Sequence, residues 1–236
     1  MPSILGRLIR LPLRFVPRGA VMRVLSGRLR GWRWIAGAAT HGCWLGTYER
    51  LTQDAFAQHV RAGGVVYDVG ANAGYFTLLA SKLAGPRGAV YAFEPLPRNL
   101  EILRAHVRLN RATNVQVLPV AVSDRAGKAR FATGNNPAMG GLAAAGDFEV
   151  PTVTLDEVRA TTPAPQFIKM DIEGAELAAL SAASSILHND GPVILLSAHG
   201  HEQFRRCSDL LRGFGYALTV LVDGTSDGNY VVLARK

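Results

Sequence analysis

The chain has 236 residues, of which 48% are hydrophobic and 19% are charged, so it can bury a sizeable core and is not of the disordered, collagen-like or low-complexity classes. No apolar run reaches the roughly 18 residues that a membrane-spanning helix needs, and arginines interrupt the first apolar stretch, so we expect no secretory signal peptide. The two cysteines, Cys43 and Cys207, form no CxxC pair, which argues against a disulfide framework or a structural zinc site and favours a reducing, cytoplasmic location.

The net charge of +8 belongs to the start of the chain. Residues 1–40 hold eight arginines and no Asp, Glu or Lys, and the remaining residues carry 18 basic and 18 acidic side chains. We therefore divide the chain into an arginine-rich N-terminal arm, residues 1–47, and a domain, residues 48–236. The arm could cover the domain with its charges in solvent, lie on an anionic membrane surface, or meet an acidic substrate or nucleic acid.

From residue 64 the apolar pattern alternates between short strands and helix-length segments. The predicted strands are residues 65–69, 89–93, 115–122, 150–155, 166–170, 193–198, 216–222 and 229–233. The predicted helices are residues 74–83, 96–110, 175–187 and 202–214, and residues 131–147 are expected to form a mobile loop. This order predicts an α/β fold with a parallel sheet and helices on both faces. The last two strands are too close in sequence for a crossover, so they should form an antiparallel hairpin, which is more typical of a transferase than of a dehydrogenase.

The first predicted strand runs into a turn that contains Gly70 and Gly74, which permit tight backbone geometry and close approach of a ligand. The Gly-x-x-x-Gly spacing differs from the dinucleotide fingerprint, and no P-loop is present. Glu94 ends the second strand, where a carboxylate can accept both hydroxyls of a ribose, and Asp68 is placed to reach an amino group. S-adenosylmethionine fits this set better than NAD. The alternatives are an ordinary tight turn and a Glu94 that only favours the next helix N-terminus.

The predicted strand that ends at Asp171 carries the candidate reactive groups. Alternation places Lys169 and Asp171 on one face, and a buried lysine needs a carboxylate, for which Asp171 is the nearest candidate. We predict that Asp171 and His199 flank an acceptor hydroxyl, with His199 as the general base because its ordinary pKa is near neutrality. Glu173 would bind the acceptor or orient His199. Structural roles are the alternative for these side chains. They could also gather Mg²⁺, but the set is poor in oxygen ligands and we predict no metal.

Five stretches in this order resemble the FkbM-type S-adenosylmethionine-dependent methyltransferases, from about Tyr48 to the C-terminus. They are VVYDVGANAGYFTLLAS, VYAFEPLPRNLEIL, NVQVLPVAVSD, VTLDEV and FIKMDIEGAELAAL. The resemblance implies a class I methyltransferase, Rossmann-like fold, with a seven-stranded, mostly parallel sheet whose last strand is antiparallel. It implies O-methylation of sugars, glycans or polyketides. It also assigns cofactor binding to Asp68, Gly70, Asn72, Gly74 and Glu94.

One position departs from the family pattern. Many members carry a glutamate two residues before the histidine that ends the fifth core strand, and this chain has Ser197 there, with His199 kept. A role for that glutamate cannot be transferred to this chain.

These observations predict an S-adenosylmethionine-dependent O-methyltransferase that acts on a hydroxylated small molecule, a glycan or another natural product. The expected location is cytoplasmic, with residues 1–40 as a candidate peripheral contact with an anionic membrane, and nucleic acid is not an expected partner. The rival interpretations are an NAD(P)-dependent oxidoreductase and a membrane- or RNA-associated binding module with a Rossmann-like domain. The chain has no Asn/Asp-Pro-Pro-Tyr/Phe/Trp tetrapeptide, which argues against base methylation.

Overall fold

The computed structural model describes residues 16–133, 140–142, 146, 148–226 and 228–236. The strands are β1 (Val21–Arg23), β2 (Arg33–Ile35), β3 (Val65–Val69), β4 (Ala89–Phe93), β5 (Val115–Leu118), β6 (Ala121–Val122), β7 (Gly127–Thr133), β8 (Gly140–Leu142), β9 (Phe148–Val153), β10 (Phe167–Met170), β11 (Val193–His199), β12 (Ala217–Val222) and β13 (Asn229–Arg235). The helices are α1 (His41–Leu45), α2 (Arg50–His59), α3 (Tyr75–Ala84), α4 (Pro97–Leu109), α5 (Leu155–Thr161), α6 (Glu176–Ser181) and α7 (His201–Gly213), with a π-helical turn at Ile186–Asp190.

Seven strands form the central sheet, in the order β12-β13-β11-β10-β3-β4-β5. Strands β3, β4, β5, β10 and β11 pair in parallel, and β13 runs antiparallel to both of its neighbours. All four residues of β10 are buried, as expected for a strand covered on both faces. The predicted α/β class, the mostly parallel sheet and the antiparallel last strand are confirmed.

The register of the parallel strands brings their carboxyl ends to one edge of the sheet. Lys169 in β10 lies opposite Asp68 in β3, and Val69 in β3 lies opposite Phe93 in β4. Glu94, Asp171 and His199 therefore leave neighbouring strands at the same edge. Ligands of open α/β sheets bind at this edge.

Residues 115–122, predicted as one strand, are two strands in different sheets. The first, β5, ends at Leu118 because Pro119 has no N–H to continue the ladder, and β6 pairs with β9 instead. The prediction of a mobile loop over residues 131–147 is also wrong in part. The end of β7 and the whole of β8 lie inside this range, and both strands belong to a four-stranded sheet in the order β6-β9-β7-β8. Residues 134–139, 143–145 and 147 of that loop lie outside the described residues.

The helix predicted over residues 175–187 ends early at Ser181, and a π-helical turn follows at Ile186–Asp190. The break coincides with Asp156, whose carboxylate accepts the Ser185 and Ile186 N–H groups at 2.9 and 3.0 Å. That carboxylate belongs to α5, a helix that the sequence pattern did not predict. A capping box between Thr154 and Glu157 starts α5.

The described part of the arm, residues 16–47, packs on the domain. Val24, Leu29 and Trp34 are buried in the same core cluster as α3, and the Trp34 ring stacks on His106 of α4 with the ring centroids 4.0 Å apart. The backbone of Arg33 exchanges hydrogen bonds with the Asn110 side chain at 2.7 and 2.9 Å. No helix among the described residues is both long enough and apolar enough to cross a membrane.

Candidate active site

A cavity of about 920 Å³ opens at the carboxyl edge of the central sheet. Its lining comes from the ends of β3, β4, β10 and β11 and from the arm. Seven of the nine predicted site residues line it, and Asp68 and Gly74 do not: the seven are Gly70, Asn72, Glu94, Lys169, Asp171, Glu173 and His199. This volume is in the range that holds a cofactor together with a small acceptor.

Glu94 organises the cofactor end of the cavity. Its side chain is buried, and its Oε2 accepts the Asn72 N–H at 2.7 Å while Oε1 accepts the Leu96 N–H at 2.9 Å. The Asn99 amide also lies 3.3 Å from Oε1. Burial raises the pKa of Glu94, against the opposing effect of these donors. Oε2 accepts the Asn72 N–H, a carboxylate oxygen can accept two hydrogen bonds, and Glu94 lines the cavity, so the group can accept a further hydrogen bond from a ligand there.

The turn between β3 and α3 needs its glycines for two different reasons. At Gly70, φ is 80°, and a Cβ would lie 1.9 Å from the carbonyl oxygen of Asp171, so the turn and the end of β10 approach as closely as backbone permits. At Gly74, φ is 93°, and a Cβ would lie 2.5 Å from Leu103, so this glycine serves packing against α4. Asn72 has a φ of 49°, a left-handed conformation that asparagine tolerates.

Asp68 is fully buried beneath the cavity. Its Oδ2 accepts the Thr77 hydroxyl at 2.5 Å, and its Oδ1 lies 3.6 Å from the Lys169 ammonium. Asp68 is not among the residues that line the cavity, and its Oδ1 accepts no hydrogen bond from the described residues, so its predicted contact with a cofactor amino group stays a prediction. Its position holds Lys169, which the sequence predicted to need a carboxylate.

Lys169 is shared between two carboxylates. Its Nζ lies 3.6 Å from Asp68 and 3.6 Å from Asp171, and it donates a hydrogen bond to the Gly70 carbonyl at 2.8 Å. Burial favours the neutral amine, but Asp171 and Asp68 outweigh it and raise the pKa of Lys169. The charged lysine thus contacts both the turn after β3, at the Gly70 carbonyl, and Asp171 at the end of β10.

His199 lies among three carboxylates. Its Nε2 is 3.6 Å from Asp171 Oδ1 and 3.6 Å from Glu173 Oε2, while its Nδ1 is 3.5 Å from Glu176 Oε1. The structure therefore brings together Asp171, Glu173 and His199 as predicted. Their ligand atoms lie within 4.8 Å of one another, a spacing that a metal ion would also permit.

The surroundings of His199 move its pKa away from the near-neutral value on which its predicted role as the base was argued. The Glu176 carboxylate, followed by Asp171 and Glu173, outweighs burial and raises the pKa of His199 from 6.5 to about 9. The imidazole is then protonated at neutral pH and cannot accept a proton. Burial raises the pKa of the neighbouring Glu173, which makes its carboxylate a better proton acceptor than an exposed one.

Glu176 is a residue of this site that was not among those predicted from the sequence. It is fully buried, and its carboxylate accepts the N–H groups of Ile172 and Gly174 and the amide of Gln203 at 3.0 to 3.2 Å. Glu176 thereby fixes the turn that carries Glu173. It contacts His199 at Nδ1, whereas Asp171 and Glu173 lie near Nε2. The signal in the sequence was its place three residues after Glu173, which puts both carboxylates at the opening of one helix.

Other residues of the lining were not predicted. Tyr48 and Glu49, at the start of the domain, form part of the wall, and the lining also includes the apolar side chains of Leu96, Val122 and Phe131. Ser197 also lines the cavity, at the position where the family pattern places a glutamate. The polar and apolar parts of the wall thus suit a ligand with a flat apolar ring and several hydroxyl groups.

One protein-family model covers the stretch of sequence that supplies most of this site. The family model described as "Methyltransferase FkbM domain" matches residues 68–218, which include the turn after β3, Glu94, Asp171 and His199. The chain belongs to the FkbM methyltransferase family. The resemblance seen in the sequence is confirmed, and with it S-adenosylmethionine as the cofactor of this methyltransferase.

One curated relative is the 31-O-demethyl-FK506 methyltransferase FkbM of Streptomyces tacrolimicus, 42% identical over 86 residues. The match covers 35% of this chain and about a third (32%) of that relative. Among solved structures, the methyltransferase FkbM from Methylobacillus flagellatus aligns with a TM-score of 0.57 and 18% identity over 80% of this chain and 51% of that chain. Precorrin-6y C5,15-methyltransferase from Geobacter metallireducens aligns with a TM-score of 0.55 and 17% identity over 80% and 90%. At these identities the structural likenesses show the fold.

The residues around the turn fit the expected cofactor. Glu94 offers a buried carboxylate with acceptor capacity toward the cavity, and Gly70 lets the backbone lie close to whatever occupies it. The apolar wall beside Glu94 suits an adenine ring, and the carboxylates at the other end suit a cationic centre.

Proposed function

We propose that this protein transfers a methyl group from S-adenosylmethionine to a hydroxyl oxygen of a sugar, glycan or other natural product. The observation that carries the proposal is that one cavity joins Glu94 at its cofactor end to Asp171, Glu173 and His199 at the other end. When bound, S-adenosylmethionine supplies a methyl group activated by a positively charged sulfur. The name of the Streptomyces relative, 31-O-demethyl-FK506 methyltransferase, describes methylation at an oxygen, which supports the choice of a hydroxyl acceptor.

The cofactor would be held by Glu94 through its ribose and by the turn at Gly70 and Asn72. Lys169 does not contact it directly in this proposal. Through its hydrogen bond to the Gly70 carbonyl and its contact with Asp171, Lys169 keeps the cofactor turn and the reacting groups at a fixed separation. Fixed separation matters because displacement at a methyl carbon requires an aligned acceptor oxygen.

The proton of the acceptor hydroxyl would go to Glu173. Its carboxylate is half-buried with a raised pKa, and it lies 3.6 Å from His199, which is protonated near neutral pH. The imidazolium offsets part of the negative charge of the three carboxylates around it and orients Asp171 and Glu173 toward the acceptor. General-base help of this kind contributes about 10²- to 10⁴-fold to rate.

The pH dependence of turnover separates this assignment from the alternative. With Glu173 as base, turnover should rise as Glu173 loses its proton, above the ordinary carboxyl range, and fall as His199 loses its proton near pH 9. With His199 as base, turnover should instead increase through about pH 9. A steady-state profile from pH 5 to 10 distinguishes a bell from a rising curve.

The acceptor class can be tested with isotope-labelled S-adenosylmethionine and a panel of hydroxylated glycans, sugars and lipids, with product detected by mass spectrometry. We expect a mass gain at an oxygen, lost in Glu173→Gln and kept in the exposed control Glu101→Gln. Methylation at carbon or nitrogen only would contradict the proposed acceptor.

The rival oxidoreductase predicts a different ligand. Calorimetry should show binding of S-adenosylhomocysteine and no binding of NADH. Binding of NADH alone would defeat the proposal, and binding of neither would favour a binding module.

A further inference from the structure

The arm and α4 together build a basic cleft whose lining shares no residue with the cavity of the proposed active site. This shallow cleft of about 500 Å³ lies between the β1–β2 hairpin and α4. Three arginines line it, Arg33 from the arm, Arg108 from the last turn of α4 and Arg111 just after that helix, although 75 residues of sequence separate Arg33 from Arg108.

These three arginines have no counter-ion among the described residues. No described Asp or Glu carboxylate lies within 4.0 Å of their guanidinium groups, whereas Arg28, also in the arm, pairs with Asp54 at 2.9 Å. Helix C-termini favour basic residues, which accounts for Arg108 and Arg111 but not for the addition of Arg33 from a separate element. Positive charges that share one cleft repel one another, and an anion bound between them offsets that repulsion.

The rest of the cleft is aliphatic. Val21, Ile35 and Leu109 line it, and Val21 is 53% exposed, with Leu25 of the same hairpin 57% exposed. The large exposed hydrophobic residues that the structure describes are all aliphatic, whereas binding of single-stranded nucleic acid relies on aromatic side chains on which the bases stack. Guanidinium groups beside exposed aliphatic side chains match phosphate headgroups at an acyl boundary.

We propose that this cleft docks the protein on an anionic phospholipid surface. The arginines Arg33, Arg108 and Arg111 bind lipid phosphates, and Val21 and Leu25 contact the acyl boundary. The surface differs from the one expected from sequence, because it combines the arm with a helix of the domain. A docked enzyme would meet hydroxylated lipids or lipid-linked glycans at the membrane.

The test is co-sedimentation of the full chain with vesicles of phosphatidylcholine alone and with added phosphatidylglycerol. We expect binding to the anionic vesicles only, weakened by salt, and weakened at least about tenfold in Arg33→Glu/Arg108→Glu/Arg111→Glu. Circular dichroism checks that the triple glutamate variant is folded. If that variant does not fold, the triple variant with glutamine at the same three positions is used in its place.

The matched control is Arg61→Glu/Arg206→Glu/Arg235→Glu, which makes the same change of net charge at exposed arginines outside the cleft. Retained binding by the control supports a specific surface. Equal losses in both variants would show that net charge alone drives binding and would overturn the proposal. The proposal would also be overturned if the wild-type chain did not bind anionic vesicles. The same holds if the wild-type chain bound a short RNA or inorganic phosphate through these arginines but bound no vesicles.

Discussion

At the scale of single residues, carboxylates define both ends of the cavity, and their surroundings give them different tasks. Glu94 is buried and accepts backbone N–H groups of the turn, which holds that turn in position, while Glu176 is buried behind His199 and sets its charge. Asp68 is equally buried, and it contacts Thr77 and Lys169 beneath the cavity. Burial alone therefore does not place a carboxylate in the cavity wall.

Glu94→Gln should weaken binding of S-adenosylhomocysteine by about 1.5 kcal/mol, or roughly tenfold, because one charged hydrogen bond to a ribose is lost while the shape is kept. Isothermal titration calorimetry measures this. The control is Glu101→Gln, on the exposed side of α4, which should bind as the wild type does. Equal affinity of Glu94→Gln and wild type would remove Glu94 from the cofactor site.

Glu176→Gln should lower the pKa of His199 from about 9 toward 6.5, because the Glu176 carboxylate is the largest cause of the raised value. NMR titration of the histidine ring measures it, and the exposed Glu202→Gln serves as control. A histidine whose pKa is raised on folding stabilises the protein fully below its unfolded pKa, and that contribution is lost as pH rises through the folded pKa. The wild type should thus lose stability between about pH 6.5 and 9, and the variant should lose less. An unmoved His199 pKa would contradict the assigned role.

At the scale of elements, the carboxyl ends of β3 and β10 are in van der Waals contact at Gly70. A Cβ there would lie 1.9 Å from the Asp171 carbonyl oxygen, so the two halves of the site depend on one glycine for their spacing. From the sequence we expected Gly70 to be needed for the turn after β3. The atom nearest to an added Cβ, however, belongs to Asp171, about 100 residues later in the chain.

Gly70→Ala should destabilise the protein by about 2 kcal/mol or more, from the strained φ and the clash with Asp171. Gly63→Ala is the matched control, because its φ is 78° and no atom lies within 4 Å of the added Cβ. It should cost only the conformational strain, about 1 kcal/mol. Urea unfolding measures both, and similar costs for the two variants would show that the contact with Asp171 is unimportant.

At the scale of the whole molecule, the described part of the arm belongs to the core and to the wall of the cavity. His106, buried in α4, ties the two together, since its Nδ1 donates to the Ala73 carbonyl at 2.7 Å and its Nε2 accepts the Ile35 N–H at 2.9 Å. Burial lowers the pKa of His106 to about 4, so it stays neutral and keeps both bonds at neutral pH. Removal of residues 1–40 would therefore disturb the fold as well as any surface contact.

Trp34→Ala should lower the free energy of unfolding by about 3 kcal/mol, because a fully buried ring stacked on His106 is lost. For a chain of this size the melting temperature should fall by about 6 °C or more. Trp32→Ala is the control, since Trp32 is only partly buried. A melting temperature unchanged by Trp34→Ala would mean that the arm does not stabilise the domain.

The sequence alone determined the strands of the central sheet and their order along the chain, the antiparallel end of that sheet, the family and seven of the residues that line the cavity. These follow from local patterns: alternation in β10, glycine spacing after β3, and acidic residues at strand ends. The tertiary structure decided what depends on distant neighbours. It placed Asp68 beside Lys169 and surrounded His199 with three carboxylates, which raise the pKa of His199 to about 9. It also divided residues 115–122 between two sheets and brought Arg33 into one cleft with Arg108 and Arg111. The electrostatic environment of a side chain is set by groups far away in sequence, and local patterns carry no record of those distances.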